Sequence, residues 1–505
     1  MQTLDLIIIF GYLIGITLFG VLFSGKQETT EDYFVGDRSV PWWAIAMSIV
    51  ATETSTITFI SVPGVAFAKG GNFQFLQLVF GYMLGRVVIS LIFIPLYFKG
   101  DLLTVYQLLG ERFGEQVKML ASALFVVMRN IADGIRLLLT AIVLAAVYIA
   151  FQPTANTDEV IIGSIILLGV VMIIFTFYGG MEAVIWVEVV QLAIYIGGAI
   201  AAAIVILNQT DGGITKVLEV GAEYNKFSVF DFGFDITKNY TFWSGLIGGC
   251  FLTMSTHGTD QYLVQRYLCT NKPSRASFAL LTSGAVVLAQ FIGFLFIGVL
   301  LFAYYHPYTA AEYAQAGVVD SGIPATFPFS GGDKVFPDFI TQHMPSGLSG
   351  LVVAAIFAAA LSSSLNSIAA TFVQDLYKPF AKGKDDKHFL KVSGWLTLAF
   401  GFVQIIVALA LMGLNESALN QALSVASLIN GPVLGVFLVG TFLKRVSQTP
   451  ALIGMAASIT IMLLIRFATP VAFTWYVLFG SLITVLVAWL ASFIFPTNNN
   501  NETSI

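Results

Sequence analysis

The sequence predicts an all-α, polytopic membrane protein with about thirteen transmembrane helices. Of its 505 residues, 57% are hydrophobic and only 10% are charged, whereas soluble domains carry about 25% charged residues. Because so few polar side chains cannot cover the surface of a protein of this size, we expect membrane lipid to cover it. The net charge of -5 is small, so we expect no nucleic-acid partner. A monomer should suffice.

The thirteen predicted spans follow from the length of the apolar runs. A helix needs about 20 apolar residues to cross a hydrocarbon core of about 30 Å. Basic residues concentrate in the loops after odd-numbered spans, for example Lys99, Arg266 and Lys444. Since short cytoplasmic loops are rich in Lys and Arg, we expect a cell-membrane protein with its N-terminus outside and its C-terminus in the cytoplasm. The predicted spans are residues 4–23, 42–67, 75–98, 117–149, 159–178, 182–207, 241–264, 276–304, 348–376, 390–412, 417–443, 450–468 and 471–495.

Span 2 contains polar groups and a proline where a plain membrane helix would be apolar. Residues 51–64 read ATETSTITFISVPG. Serine and threonine hydroxyls compete for backbone partners, and Pro63 cannot donate a backbone hydrogen bond. The pattern predicts a helix interrupted at mid-membrane, where free carbonyls can bind a cation. A polar patch that packs against neighbouring helices is the alternative.

Span 7 carries a second polar stretch, STHGTDQ at residues 255–261, five spans after the first. Two broken helices at this separation indicate two inverted five-helix repeats. We therefore predict a leading span (1–30), repeats at 40–207 and 240–443, two trailing spans (450–495) and a cytoplasmic tail (496–505). His257 alone is interpreted as a packed polar residue. The sequence has no GxxxxGK[ST] loop, so we expect a carrier or channel rather than an enzyme or ATP-driven pump.

Span 9 contains a run of small and hydroxylated residues, AAALSSSLNS at 358–367. Sodium is a hard cation that prefers oxygen ligands, and serine hydroxyls in span 9 would supply them opposite the break in span 2. Small residues also permit close helix packing, and packing explains the run equally well.

Four segments resemble the sodium/solute symporter family: EDYFVGDRSVPWWA (31–44), YGGMEAVIWVEVVQ (178–191), GTDQYLVQR (258–266) and NSIAATFVQDLYKP (366–379). This family includes sodium/sugar, sodium/proline, sodium/iodide and sodium/sialic acid carriers. The resemblance implies a LeuT-like five-plus-five inverted repeat, with sodium as the coupling ion. It also implies a sodium-coupled symporter that imports a small polar organic solute by alternating access. A sodium-coupled carrier of monocarboxylates or other anions is the alternative within the family, and a channel or a sensor of the same fold are the others.

The resemblance also implies the sodium ligands. Family members usually place two adjacent hydroxyls where this chain has Ala359 and Ala360, so we expect a run shortened by three residues. A second sodium ion would bind Glu188 and Ser364. The alternative is that Glu188 pairs with an arginine of span 4. The first site would be formed by carbonyls of Ala51, Thr54 and Ala359 and by the hydroxyls of Ser362 and Ser363.

By the same resemblance, the solute would lie between the two broken helices, in contact with the residues named at the end of this paragraph. The Glu53 carboxylate disfavours a simple anion, whereas an arginine favours a carboxylate. Together they suit a zwitterion, a polyol or a sugar-like molecule, and a carboxylate remains an option. Alternatively, Arg129 pairs with Asp133 and Arg136 pairs with Glu188. The expected solute contacts are Glu53, Ser55, Thr58, Phe73, Gln77, Arg129, Asp133 and Arg136.

Overall fold

Helices overlie all thirteen apolar stretches in the computed structural model of the protein. They form because a backbone in hydrocarbon must satisfy its own N–H and C=O groups. In the described part, β structure is limited to one bridge between Ser39 and Thr270. The structure describes residues 2–22, 29–36, 38–54, 56–100, 102–152, 154–178, 180–305, 329, 331–360, 364–412 and 418–495.

The helices are numbered in chain order. The first ten are Thr3–Leu22 (α1), Thr30–Val35 (α2), Trp42–Glu53 (α3), Thr56–Phe67 (α4), Leu76–Tyr97 (α5), Gln107–Phe113 (α6), Glu115–Phe151 (α7), Thr157–Tyr178 (α8), Met181–Gln209 (α9) and Gly213–Glu223 (α10). The others are Gly249–Gly258 (α11), Gln261–Leu268 (α12), Pro273–Tyr305 (α13), Val335–Gln342 (α14), Leu348–Ala360 (α15), Leu365–Thr371 (α16), Asp386–Ala410 (α17), Ala418–Phe442 (α18), Gln448–Ala468 (α19) and Tyr476–Ile494 (α20). Short π-helical turns at Ser244–Gly248 and Phe372–Tyr377 precede α11 and follow α16.

Nine helices among the described residues are long and apolar enough to cross a membrane. A tenth span is obtained if the bent pair α3–α4 is counted as one. The helices over predicted span 7 are shorter. Among the described residues of predicted spans 9 and 11, Leu348–Phe357 and Leu428–Phe442 are apolar helices of less than spanning length. The structure thus supports an all-helical membrane protein, while the count of thirteen spans stays a prediction.

Span 2 is broken where its sequence predicts. Helix α3 ends at Glu53, and Thr54 has non-helical dihedrals (φ -78°, ψ 83°). Helix α4 begins at Thr56, and the axes of Trp42–Glu53 and Thr58–Phe67 differ by 60°. This interruption (the break in span 2) leaves the last carbonyls of α3 without the amides that a continuous helix would provide.

Span 7 is also discontinuous. Helix α11 ends at Gly258, and α12 begins at Gln261 after Asp260, whose side chain accepts a hydrogen bond from the amide of Tyr262. In span 9, the structure describes α15 up to Ala360 and α16 from Leu365. Residues 361–363, between them, lie outside the described part of the chain.

Two charged side chains hold helix ends in spans 2 and 9. Lys226, in the loop after α10, donates to the carbonyls of Ala66, Phe67 and Ala68 at 3.0, 3.1 and 2.6 Å. These carbonyls end α4, where the helix dipole favours a cation. At the start of α15, Asp5 Oδ1 accepts from the amides of Gly347 and Gly350 at 2.7 and 2.9 Å. The loop after α10 therefore holds the end of α4 in span 2, and the leading span holds the start of α15 in span 9.

Candidate functional site

The break in span 2 exposes the C-terminal end of α3 inside the protein. Ala51 and Thr54 are buried, and both line a small cavity of about 10 Å³, close to the smallest cavity that holds one water molecule. Carbonyls at a helix C-terminus carry partial negative charge and attract cations. The arrangement provides oxygen ligands for one small cation at this point.

Span 9 contacts span 2 close to the same point. The Thr56 hydroxyl, at the start of α4, lies 3.0 Å from the Thr140 hydroxyl of α7 and donates to the Ile356 carbonyl of α15 at 3.3 Å. Ile356 precedes Ala359 by three residues in α15. Span 9 thus approaches span 2 just after its break, where the C-terminus of α3 favours a cation. Ser55, Ser362 and Ser363 lie outside the described residues.

Glu53, the last residue of α3, belongs to a buried ionic cluster. Its carboxylate pairs with Arg86 of α5 and lies 3.4 Å from Nε2 of His257 in α11. Arg86 is fully buried, and its Nη2 lies 3.3 Å from the same imidazole nitrogen. The guanidinium balances the carboxylate charge, so the repulsion of anions expected from Glu53 is largely cancelled. The cluster also joins spans 2, 3 and 7.

The charged face of span 4 forms a second network. Arg129 Nη2 donates to Asp260, in the break of span 7, at 2.8 Å. Asp133 accepts from Ser364 of span 9 and from Gln404 of α17, the latter at 3.4 Å. This network brings Arg129 of span 4 against the break in span 7, and Asp133 of span 4 against Ser364 of span 9. Both span-4 residues were predicted to contact solute.

Arg136 is the least compensated guanidinium in this network. Its Nη1 is buried, makes no hydrogen bond within the described part of the chain, and lies 3.9 Å from Asp133 Oδ1. Arg129 is also 3.9 Å from Asp133 Oδ1, but it has Asp260 as a closer partner. Because a buried, under-compensated guanidinium favours an anionic partner, Arg136 is suited to bind a carboxylate.

Glu188 of α9 forms a third buried cluster, which differs from the expected pairing. It pairs with Arg266, at the end of span 7, rather than with the span-4 arginine that the sequence suggested as a partner. Arg266 Nε lies 3.2 Å from Glu188 Oε2, and both side chains are at most 1% exposed. Ser48 and Thr52 of α3 donate to the same carboxylate, Thr52 at 3.2 Å. Ser364, the other predicted ligand of a second sodium ion, donates to Asp133 instead.

One aromatic ring connects the second and third clusters. The guanidinium carbons of Arg129 and Arg266 lie 4.7 and 4.6 Å from the centroid of the Tyr262 ring. Tyr262 is buried in α12, immediately after the break in span 7. Cation–π attraction of this kind contributes about 0.5–2 kcal/mol at a buried site.

The span-3 residues expected to contact solute lie against the loop between α10 and α11. Gln77 Nε2 donates to the Tyr240 carbonyl at 3.0 Å, and Gln77 Oε1 accepts from the Asp231 amide at 2.9 Å. The Phe73 ring packs edge-to-face on Phe227 with centroids 5.7 Å apart. Thr58 is buried in α4.

Several residues of these clusters were not singled out from the sequence. Arg86, Arg266 and Asp260 lie in or beside membrane spans, and the cost of burying a charge there is the signal that could have identified them. Gln290, in the middle of span 8, carries a weaker signal of the same kind. Its amide nitrogen and oxygen lie 2.7 and 2.9 Å from the Thr54 hydroxyl.

Comparison with known proteins agrees with this geometry. The profile of the sodium:solute symporter family matches residues 33–458. The chain is 33% identical to the sodium/sialic acid symporter NanT of Aliivibrio fischeri, over 99% of this chain and 95% of that one. It is 32% identical to the sodium/sialic acid symporter SiaT of Proteus mirabilis, over 97% and 94%. Human sodium-coupled monocarboxylate transporter 1 is 28% identical, over 91% and 72%.

Solved structures show the same relationship. A Na+-coupled sialic acid symporter in a substrate-bound, outward-open state superposes with a TM-score of 0.82 at 30% identity, over 98% of this chain and 99% of that one. A nucleobase-cation-symport-1 family transporter, with a TM-score of 0.57 at 14% identity over 93% and 95%, shares the fold. The chain belongs to the sodium:solute symporter family, whose members are sodium-coupled transporters and not enzymes.

Proposed function

We propose that the protein is a sodium-coupled symporter that imports a small, polar, carboxylate-bearing organic solute by alternating access. The observation that supports this most is the approach of span 9 to span 2 just after its break, through the hydrogen bond from the Thr56 hydroxyl to the Ile356 carbonyl of α15. An alkali ion between them would tie span 2 to span 9 and favour one conformation. A solute site built beside them would then depend on sodium.

For the ion, we propose the ligands inferred from the family resemblance: Ala51, Thr54, Ala359, Ser362 and Ser363. The membrane potential supplies about 2.3 kcal/mol per sodium ion at 100 mV, and a tenfold gradient adds about 1.4 kcal/mol. For a solute without net charge, both together would support about 500-fold accumulation per coupled ion, without ATP. A carboxylate carried with one sodium ion moves no net charge, so the sodium gradient alone would support about 10-fold accumulation.

A second sodium ion at Glu188 and Ser364 remains a hypothesis, because both side chains already have partners within the protein. Arg266 already provides a positive charge at Glu188, and Asp133 accepts from Ser364. If the guanidinium stays in place, it supplies the charge that a second ion would bring, and one sodium ion per cycle would suffice.

For the solute, we propose contacts from Glu53, Ser55, Thr58, Phe73, Gln77, Arg129, Asp133 and Arg136. Arg86 balances Glu53 and Arg136 lacks a close partner in the described part of the chain, which together favour a carboxylate more than the sequence indicates. Two relatives are named for sialic acid, a polyhydroxylated carboxylate. An acidic sugar is therefore the first solute to test, and a monocarboxylate is the second.

We also propose the topology that the sequence predicts. Thirteen spans, with inverted repeats at 40–207 and 240–443, would place the N-terminus outside the cell membrane and the C-terminus in the cytoplasm. A monomer would contain all of the proposed ligands.

Purified protein tests the function directly. We expect sialic acid to raise the unfolding temperature when sodium is present and not when potassium replaces it. In liposomes, labelled solute should show counterflow, which a channel would not produce. Stabilisation that is independent of sodium, or the absence of both effects with every acidic sugar and monocarboxylate, would reject the proposal.

The ligands are tested by substitution. Ser362→Ala combined with Ser363→Ala should raise the half-saturating sodium concentration, because two oxygen ligands are lost. Ser458→Ala, the same change at a buried serine of α19, is the control. Unchanged sodium dependence in the double variant would exclude these two serines as ligands.

A further inference from the structure

An apolar groove of about 330 Å³ lies between α9 and α13. Small residues form its floor, among them Ala199, Ala203, Ala289 and Gly293. A Cβ atom added at Gly293 would have no heavy atom within 4 Å. The groove is therefore open space beside the backbone of α13, not a packed helix contact.

The groove faces the hydrocarbon core. Ile200, which lines it, is 55% exposed, and Ile204 and Ile292 beside it are 53% and 43% exposed. Apolar residues with this exposure on membrane helices face lipid. The polar groups among the lining side chains are the amide of Gln290 and the hydroxyl of Tyr195. A polar solute finds few partners in such a groove, whereas an acyl chain fits its chemistry.

The inner wall of the groove contacts span 2 at its break and in α4. Gln290 holds the Thr54 hydroxyl at the break through its amide nitrogen and oxygen. Two other lining residues, Tyr195 and Phe294, pack their rings edge-to-face on Phe59 of α4, with centroids 4.9 and 5.2 Å apart. Tyr195 also lines the small cavity beside Thr54.

We propose that this groove binds an acyl chain of a membrane lipid, and that the bound chain sets the sodium affinity through Gln290 and Thr54. A chain in the groove packs against the methylene groups of Gln290 and restrains its amide against the Thr54 hydroxyl. An empty or poorly filled groove leaves that amide free to turn. The coupling rests on the proposed role of Thr54 as a sodium ligand, but lipid binding itself does not.

The first experiment compares two bilayers with the same headgroup, one with straight and one with methyl-branched acyl chains. Branched chains fit a narrow groove poorly. We expect the half-saturating sodium concentration for uptake to differ about 2- to 10-fold between the bilayers, the factor that loss of one neutral hydrogen bond produces. In Gly293→Leu, whose side chain fills the groove, and in Gln290→Met, the difference should vanish.

Gly197→Leu is the matched control. Gly197 is exposed on α9, does not line the groove and likewise has no atom within 4 Å of an added Cβ. It should retain the difference between bilayers. If Gly293→Leu also retains it, the effect belongs to the bulk bilayer and the proposal is wrong.

A photoreactive lipid separates this proposal from the proposed function. A diazirine-bearing acyl chain should label residues 196–203 or 286–297 in the wild type and in Gly197→Leu, but much less in Gly293→Leu. Labelling no stronger than at other lipid-facing helices would overturn lipid binding. Labelling of the groove in a protein without sodium-dependent uptake would refute the proposed function but still support lipid binding in the groove.

Discussion

The buried pair of Glu188 and Arg266 gives the sharpest test of the second sodium hypothesis. We consider Glu188→Gln, Arg266→Met and the combination of the two. If the pair is structural, Glu188→Gln leaves a guanidinium uncompensated in the protein interior, and the double variant removes that charge. If Glu188 binds sodium, its loss should instead weaken the response to the ion.

The size of the effect follows from the burial of both groups. Breaking a fully buried ion pair by removing one partner costs about 3–5 kcal/mol. An unfolding entropy of about 2.1 cal/mol/K per residue, applied to 505 residues, gives about 1.1 kcal/mol/K. We therefore expect Glu188→Gln to lower the unfolding temperature by about 3–5 °C, and Arg266→Met to restore most of that loss.

Thermal unfolding of purified protein and sodium-dependent uptake in liposomes are measured for all three variants. Glu159→Gln, the same change at an exposed position of α8, is the control. If Glu188→Gln unfolds at the wild-type temperature while its half-saturating sodium concentration rises several-fold, the pair is not structural and Glu188 is a sodium ligand. A stability loss in Glu188→Gln that the second substitution does not relieve would refute the charge-balance reasoning.

Three further substitutions test other parts of the structure. Arg136→Gln should raise KM for a carboxylated solute about 10- to 100-fold, because it loses a hydrogen bond between charged groups; an unchanged KM in uptake assays would remove Arg136 from the solute site. Burial lowers the pKa of Lys226 to about 7, whereas an unfolded lysine titrates near 10.4, so the folded state binds fewer protons between these values. The unfolding temperature of the wild type minus that of Lys226→Met should therefore rise from pH 7 to pH 10. Lys238→Met, the same change at an exposed lysine, is the control, and its difference from the wild type should not rise over this range. A difference for Lys226→Met that does not change with pH would contradict the lowered pKa of Lys226. Asp5→Ala should lower the free energy of unfolding by about 1 kcal/mol, because α15 loses its N-terminal cap. This corresponds to a fall of about 1 °C in the unfolding temperature, and an unchanged unfolding temperature would mean that the contact does not stabilise the protein.

The span positions and the first break were predictable because both are local properties of the chain. Predicted span 4, at 117–149, became Glu115–Phe151, and predicted span 13, at 471–495, became Tyr476–Ile494 with a short 3-10 turn before it. Apolar run length determines such boundaries. The break between Glu53 and Thr56 follows from hydroxyl-rich sequence, whose alternatives to helical hydrogen bonding are also local.

The partners of the buried charges were not predictable from spacing. Glu53 meets Arg86, 33 positions later, and Glu188 meets Arg266, 78 positions later. Helical periodicity relates residues three or four positions apart and so suggested pairs within span 4. The internal pair was only partly right: Arg129 is 3.9 Å from Asp133 but lies closer to Asp260. Such long-range pairs depend on how the spans pack, which one sequence does not reveal.

Tyr262 has a consequence for how variants of this transporter should be interpreted. Its ring contacts the guanidinium of Arg129, from the network on span 4, and that of Arg266, from the Glu188 pair. A change at either arginine therefore alters the position of the ring against the other. Substitutions at the two arginines should therefore be epistatic, although they belong to different ion pairs. During divergence, a replacement on one side of the ring would be retained most easily after a matching replacement on the other.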